Sequence, residues 1–154
     1  MQNHDELTNL LRQRTWDREL ILWSGAESKL LPFLTNVQVE VLDLLDTFDP
    51  DALPVDDDEI RQHLSQSLRR RLQAILREPS KRTALIVRSA GLLARYRVGV
   101  QDFYNWFCDD FSMVILLIEG RCNESEWPDE VECVSDKLID YFTKSDLIKR
   151  LIEA

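Results

Sequence analysis

The sequence predicts a single three-layer α/β domain, in which helices cover both faces of a mostly parallel sheet of four or five strands. Three apolar segments carry this prediction: residues 20–23, 84–87 and 114–118, with a segment of helical character between each and the next. Strands that are apolar at every position lose water on both faces, which is typical of parallel sheets covered by helices. The chain has 154 residues, near the commonest size of one domain, so we expect one domain over residues 1–154.

The first third of the chain is predicted to contain a helix, a strand, a short helix and a second strand. Leucines at helical spacing indicate a helix over about 3–15, and the apolar run that follows it ends in a turn at Ser24 and Gly25. A short helix over about 26–34 is expected next, weakened near its end by a proline. Alternating valines predict that a second strand begins near Val37.

Caps and breakers define the later elements. Asp56 has capping-box spacing with the glutamate three residues later, at the start of a long amphipathic helix. Asp102 is predicted to cap a short aromatic helix between the third and fourth strands. A short fifth strand is expected over 131–134, followed by one or two closing helices that begin at Ser135 and include Leu151.

The composition excludes several classes of protein. The longest aliphatic run, residues 113–118, is far shorter than the ~20 residues that cross a bilayer, so no membrane span is expected. The start of the chain has no basic region followed by an apolar one, so no secretory signal is expected. Three widely spaced cysteines without a CxxC pair, with two histidines, indicate free thiols and no metal site. We therefore expect a cytoplasmic protein.

Charge is unevenly distributed along this acidic chain. The formal net charge is −9, but residues 61–101 contain ten basic side chains and a single acid, Glu78. Such a block either attracts a charged partner or faces acidic segments of the same chain, and we favour the second interpretation. The overall acidity argues against nonspecific binding to duplex DNA, because that affinity depends on neutralising many phosphates.

Candidate ligand-binding residues follow from the predicted sheet, because ligands of open parallel sheets bind beyond the carboxyl ends of the strands. After the first strand, one glycine and one lysine join a buried strand to a helix, as in a phosphate-binding loop. The candidate nucleotide- or anion-binding residues at these strand ends are Ser24, Gly25, Lys29, Arg88, Ser89 and Glu119.

The phosphate-loop pattern is incomplete. A GxxxxGK[ST] loop uses several glycines to close backbone N–H groups around phosphates, and its Ser or Thr holds magnesium. Here Glu27 adds a negative charge, the second glycine is absent, and Leu30 stands in place of the hydroxyl residue. The third strand ends in Arg88, where a magnesium-orienting carboxylate is expected. We therefore predict inefficient nucleotide hydrolysis, no catalytic residue and no cofactor.

Three strand-and-turn segments, LILWSG at 20–25, LIVRS at 85–89 and VILLIEG at 114–120, resemble those of small P-loop-like accessory proteins of bacterial anti-phage systems of the bacteriophage-exclusion (BREX) type. The resemblance extends over about residues 18–136. It implies a non-catalytic or weakly nucleotide-binding member of a multiprotein assembly, so other proteins of that assembly are the expected partners. The oligomeric state stays open.

Two other functions remain open at this point. In one, the chain is a nucleotide-binding switch in which Arg88 and Glu119 contact phosphate and water; a structural ion pair between these two residues is the interpretation we favour. In the other, the chain is a nucleic-acid-binding accessory subunit, although a solvated basic face is the simpler explanation. The residues that would contact phosphates are Arg69, Arg70, Arg71, Arg95 and Arg97.

Aromatic, acidic and thiol side chains supply the remaining candidates. Tyr104, Trp106 and Trp127 are candidates for a partner interface, while the helical spacing of the aromatic cluster favours core packing with one exposed edge. Acids after the second strand, such as Asp43, are interpreted as caps and turn residues rather than metal ligands. Cys108 has no histidine near it in sequence, so a Cys-His nucleophile is disfavoured.

Overall fold

The computed structural model describes residues 2–47, 56–76, 78, 81–118 and 135–153. Each predicted strand and helix in the first 118 residues is present within these ranges, with one additional short helix. The elements are α1 (Gln2–Arg12), β1 (Leu20–Ser24), α2 (Glu27–Leu30), β2 (Gln38–Asp43), α3 (Asp57–Ala74), β3 (Thr83–Arg88), α4 (Gly91–Arg95), α5 (Gln101–Trp106), β4 (Ser112–Ile118), α6 (Ser135–Thr143) and β5 (Arg150–Glu153), with 3₁₀ turns at Leu31–Leu34 and Leu44–Thr47.

Five parallel strands form one sheet in the order β2-β3-β4-β1-β5, which confirms the predicted α/β class. β4 lies at the centre, and all seven of its residues are buried. Its alternate side chains enter two different cores: Val114 and Leu116 pack on one face, and Ile115 and Leu117 on the other. The sheet is therefore covered on both faces, as the continuous apolar segments of β1, β3 and β4 require.

The helices divide unequally between the two faces. Buried residues of α1 and α2 pack against Ile21 and Trp23 on the first face. Those of α3, α4, α5 and α6 pack against Leu20 and Leu22 on the second face. The chain crosses the first face once, from β1 to the far edge at β2, and makes its other three crossovers in the opposite direction over the second face. All four crossovers therefore have the same hand, as expected for parallel strands.

The long helix α3 forms as predicted. The Asp56 carboxylate accepts a hydrogen bond from the Glu59 N–H at 2.8 Å and so caps the helix. Leu64, Leu68 and Leu72 are buried at successive fourth positions and attach the helix to the second face of the sheet. Within the described residues, no helix is both long and apolar enough to cross a membrane.

Two predictions about local structure are wrong. Asp102 does not cap α5: the N-cap residue is Val100, and Asp102 lies in the first turn, where it forms an ion pair with Arg69 at 3.5 Å. Leu151 belongs to the strand β5 rather than to a closing helix, although α6 begins at Ser135 as predicted. The strand predicted over 131–134 lies outside the described residues.

The last strand is held in place by contacts that are distant in sequence. Arg150 donates from Nε to the buried carboxylate of Glu19 at 2.7 Å and from a terminal nitrogen to Glu6 at 2.7 Å. These bonds raise the pKa of the Arg150 guanidinium above its ordinary value. The Lys149 N–H also donates to the Leu20 carbonyl at 3.1 Å, which aligns β5 beside β1.

We predict that Ile152→Ala lowers the free energy of unfolding by about 2–5 kcal/mol, because this β5 side chain is completely buried. Urea denaturation followed by circular dichroism measures the change. Leu76→Ala is the matched control: Leu76 is 87% exposed, so a change within about 0.5 kcal/mol is expected there. Equal effects of the two substitutions would contradict the placement of β5 in the core.

Candidate functional site

The crevice expected in this fold lies at the carboxyl ends of β1 and β4, because the next described helices after these neighbouring strands, α2 and α6, lie on opposite faces of the sheet. Gly25 and Ala26 alone join β1 to α2. Gly25 has φ 144°, a conformation that L-residues with side chains rarely adopt, and its N–H donates to the Ile118 carbonyl at 2.9 Å. The loop is therefore bonded to the end of β4. Because the Gly25 N–H already donates to a backbone carbonyl, it is not directed at a ligand.

Arg88, at the end of β3, pairs with an acid from the β1 side of the sheet. Its Nε and a terminal nitrogen donate to the two carboxylate oxygens of Glu27, both at 2.7 Å. The hydrogen bond from Arg88 lowers the pKa of the Glu27 carboxyl below its ordinary value. The guanidinium is thus directed at a carboxylate of the same chain. The predicted pair between Arg88 and Glu119 lies outside the described residues, because Glu119 does.

Ser89 and Asp43 form a second contact at this edge, between the ends of β3 and β2. Ser89 has φ 62°, in the left-handed region, and its hydroxyl donates to the Asp43 carboxylate at 2.8 Å. The same carboxylate oxygen accepts the Leu45 N–H at 3.0 Å, and the Asp43 carbonyl accepts a hydrogen bond from Arg71 at 3.0 Å. Asp43 therefore organises the turn after β2, in the role predicted for it.

The remaining phosphate-loop candidates are not brought together around a ligand-sized space by any described contact. Ser24 is half-buried at the end of β1, and Lys29 is exposed in the last turn of the four-residue helix α2. Among the described residues, no group of three or more histidine, cysteine, aspartate or glutamate side chains is arranged to hold a metal ion.

The basic residues that the sequence suggested for nucleic-acid binding are divided between internal contacts and solvent. Arg69 pairs with Asp102 and lies 5.9 Å from the centre of the Trp106 ring. Arg95 approaches Asp57 at 3.7 Å and lies over its neighbour Tyr96. Arg71 bonds a backbone carbonyl, while Arg70 and Arg97 are exposed. Much of the basic block therefore interacts with acids of the same chain, which agrees with the interpretation that we favoured.

The aromatic candidates have different environments. Tyr104 is half-buried beneath the Arg18 guanidinium, 5.2 Å from its ring centre, whereas Trp106 is 45% exposed. Phe103 and Phe107 are buried in the core. The aromatic helix is thus mainly a core element with one exposed indole; Trp127 lies outside the described residues.

Cys108 is a core residue. Its thiol is buried and donates to the Glu19 carbonyl, with Sγ and O 3.4 Å apart. Burial raises the pKa of the Cys108 thiol to about 12, so the thiol is protonated at neutral pH and a poor nucleophile.

Sequence reasoning missed the partner of Arg88 and the exposure of Val41, which lies in the edge strand β2 and is 44% exposed. The sequence indicates only that the negative charge of Glu27 disfavours phosphate binding. The signal that could have identified the pair is an acid shortly after β1 together with a basic residue at the end of β3, because both lie at the carboxyl edge of the sheet. The exposure of Val41 could not be read from its alternating pattern, because alternation indicates two faces without showing which one is covered.

Fold and site together define an α/β protein with a five-stranded parallel sheet, whose carboxyl edge carries contacts between its own side chains. No protein-family model and no curated protein matches the chain. A chain in the solved structure titled "Structure of Drosophila ORC bound to DNA" is distantly similar, with 17% sequence identity and a TM-score of 0.42. The match covers 97% of this chain and 40% of that chain.

We predict that the contribution of Glu27 to stability depends on pH. Because its pKa is lowered from 4.5 in the folded state, the stabilisation is complete above that value and is lost as the pH falls through the folded pKa. Glu27→Gln should therefore cost up to about 1 kcal/mol at pH 7 and progressively less in acid, as measured by urea denaturation. Glu153→Gln, at an exposed acid, is the control; a pH-independent loss at Glu27 would contradict the ion pair.

We predict that Cys108 resists alkylation in the folded protein. Iodoacetamide at pH 8 should leave the peptide containing Cys108 unmodified, because the thiol is buried and protonated. The same treatment in 6 M guanidinium, about the strength that unfolds even very stable domains, should modify it, as peptide mass spectrometry measures. Rapid modification without denaturant would show that Cys108 is accessible.

Proposed function

We propose that this chain is a non-catalytic protein-interaction module, one component of a multiprotein assembly. The described sheet has two edge strands, β2 and β5, and the observation that carries the proposal is the edge at β2, where the apolar side chain of Val41 is 44% exposed. Within the described part of the chain, β2 pairs with β3 on one side and with no strand on the other. An unpaired strand edge is a template for an extended segment of another protein, which adds as a further strand.

The backbone geometry identifies the groups that such a segment would bind. The Gln38 N–H donates to the Arg82 carbonyl at 2.9 Å, towards β3. Backbone groups alternate in direction along a strand, so Val39 and Val41 direct their N–H and C=O groups away from β3. These two residues therefore provide the hydrogen-bonding edge for an incoming strand.

The side chains around this edge indicate what the partner segment contains. Val39 is half-buried, and Val41 is 44% exposed, so one face beside the edge is apolar. On the other face the Glu40 carboxylate accepts a hydrogen bond from the Gln38 amide at 2.9 Å. A complementary strand has apolar residues beside the valines and a lysine or arginine beside Glu40.

Contacts at the carboxyl edge support a binding role over nucleotide hydrolysis. A nucleotide at the β1–β4 crevice would have to compete with the Glu27–Arg88 pair and with the Gly25–Ile118 hydrogen bond. The resemblance to accessory proteins of BREX-type systems supports bacterial anti-phage defence as the setting of the assembly. The nucleotide-binding switch is therefore the second candidate, and it requires these contacts to open.

Affinity purification of the tagged full-length chain from its own host tests the proposal. We expect one or more proteins to co-purify at a fixed ratio, and Val41→Asp to reduce their amount at least tenfold, because a charge on the apolar side of the edge must be buried. Val41→Thr, which preserves the branched shape and strand preference, should give a smaller loss in the same direction.

The matched control is Leu76→Asp, since Leu76 is another exposed apolar residue, in the segment after α3. It should leave the co-purified amount unchanged. Thermal unfolding of each variant verifies that the fold persists. Purification of the chain with no protein at a fixed ratio would overturn the proposed function, and equal losses from Val41→Asp and Leu76→Asp would overturn the assignment to β2.

A further inference from the structure

A basic cavity lies at the amino edge of the sheet, opposite to the edge where ligands of this fold class usually bind. It is bounded by the end of α1, by the residues before β3 and by the residue before β4. Its volume is about 480 Å³, within the range of small-molecule sites. The residues that line it are Arg12, Gln13, Arg14, Lys81, Arg82 and Phe111.

The walls of this cavity are bonded to one another. The Trp16 N–H donates to the Asp110 carbonyl at 2.7 Å, which joins the segment after α1 to the segment before β4. The Thr83 N–H donates to the Phe111 carbonyl at 2.8 Å and joins the entries of β3 and β4. These bonds fix the relative positions of the backbone segments whose side chains line the cavity, which is open to solvent.

Of the four described basic residues that line the cavity, Arg82 is the one whose side chain is bonded to backbone carbonyls of the same chain. Its guanidinium donates to the carbonyls of Leu11 and Gln13, the latter at 2.8 Å, and so caps the carboxyl end of α1. It also lies over the Trp16 ring, 5.7 Å from the ring centre. Arg82 thus joins two walls of the cavity and contributes a fixed positive charge.

The other three cations are available for a ligand. Arg12 and Arg14 are exposed, and neither forms an ion pair with an acid in the part of the chain that the structure describes. Lys81 approaches Glu78 at 3.6 Å, with both side chains more than half exposed, and such a pair is weak in water. No acid is among the described residues that line the cavity, although the carboxylate of Asp109, two positions before Phe111, accepts a hydrogen bond from the Phe111 N–H at 2.8 Å.

We propose that this cavity binds consecutive phosphate groups. Two guanidinium groups and an ammonium group surround a space of small-molecule size, and guanidinium matches phosphate oxygens with paired hydrogen bonds. Phe111 supplies an apolar wall for a base or a sugar. A free nucleotide and a nucleic-acid strand both carry this chemistry, and the experiment below separates these two sources.

Isothermal titration calorimetry of the full chain in low salt measures the binding of three probes: inorganic tripolyphosphate, ATP without metal, and a single-stranded oligothymidylate. The oligothymidylate has about fifteen bases, close to the largest site size of one single-strand-binding domain. We expect dissociation constants below about 1 mM, and a loss of at least tenfold in affinity for the double substitution Arg12→Ala and Arg14→Ala. Tighter binding of ATP and tripolyphosphate assigns the site to free nucleotides. Tighter binding of the oligonucleotide, weakening steeply with salt, assigns it to a strand.

The matched control is Lys29→Ala, which removes an exposed cation from the opposite edge of the sheet. It should leave all three affinities unchanged, and neither variant should shift the thermal midpoint, because the substituted side chains are exposed. Absence of binding by every probe at about 1 mM would overturn the proposal. An affinity loss for Lys29→Ala as large as that for the double variant would place the phosphate site at the carboxyl edge and also overturn it.

Discussion

The burial of β4 on both faces is the constraint on which the rest of the structure depends. All seven residues of β4 are buried and six of its side chains are apolar, and such a strand is stable only where both faces are shielded from water. Chain connections must therefore run over both faces, and crossovers of a single hand then fix the direction of each. The order β2-β3-β4-β1-β5 places β1 beside β4, and this neighbour relation creates the crevice at the carboxyl edge.

At the carboxyl edge of the sheet, side chains of the chain itself contact one another. The same parallel arrangement that supports nucleotide binding in other proteins here brings Glu27 against Arg88 and Asp43 against Ser89. Both contacts join turns from different strands, so they also fasten the ends of the sheet. The two binding surfaces that we propose lie elsewhere: the edge of β2 for a protein partner and the amino edge of the sheet for an anion.

Several basic side chains of the protein are also paired with acids of the same chain. An acidic chain repels polyanions at long range, and arginines in α3 and α4 are directed at acids of their own fold. A phosphate site in such a protein has to be local and preformed. The cavity that we propose lies beside Arg12 and Arg14: backbone hydrogen bonds join the segments that line it, and these two of its three arginines form no ion pair with an acid in the described part of the chain.

The sequence by itself determined the α/β class, the positions of β1, β3 and β4, and the start of α3, because burial on both faces and helix capping act between residues that are close in the chain. Tertiary structure alone decided that Arg150 begins a strand rather than continuing a helix, since this depends on Glu19, which is 131 positions away. It likewise decided that Arg88 meets Glu27 and that Val41 stays uncovered. Partners across a sheet and the exposure of an edge are set by how distant segments pack, and no local pattern in the chain records that packing.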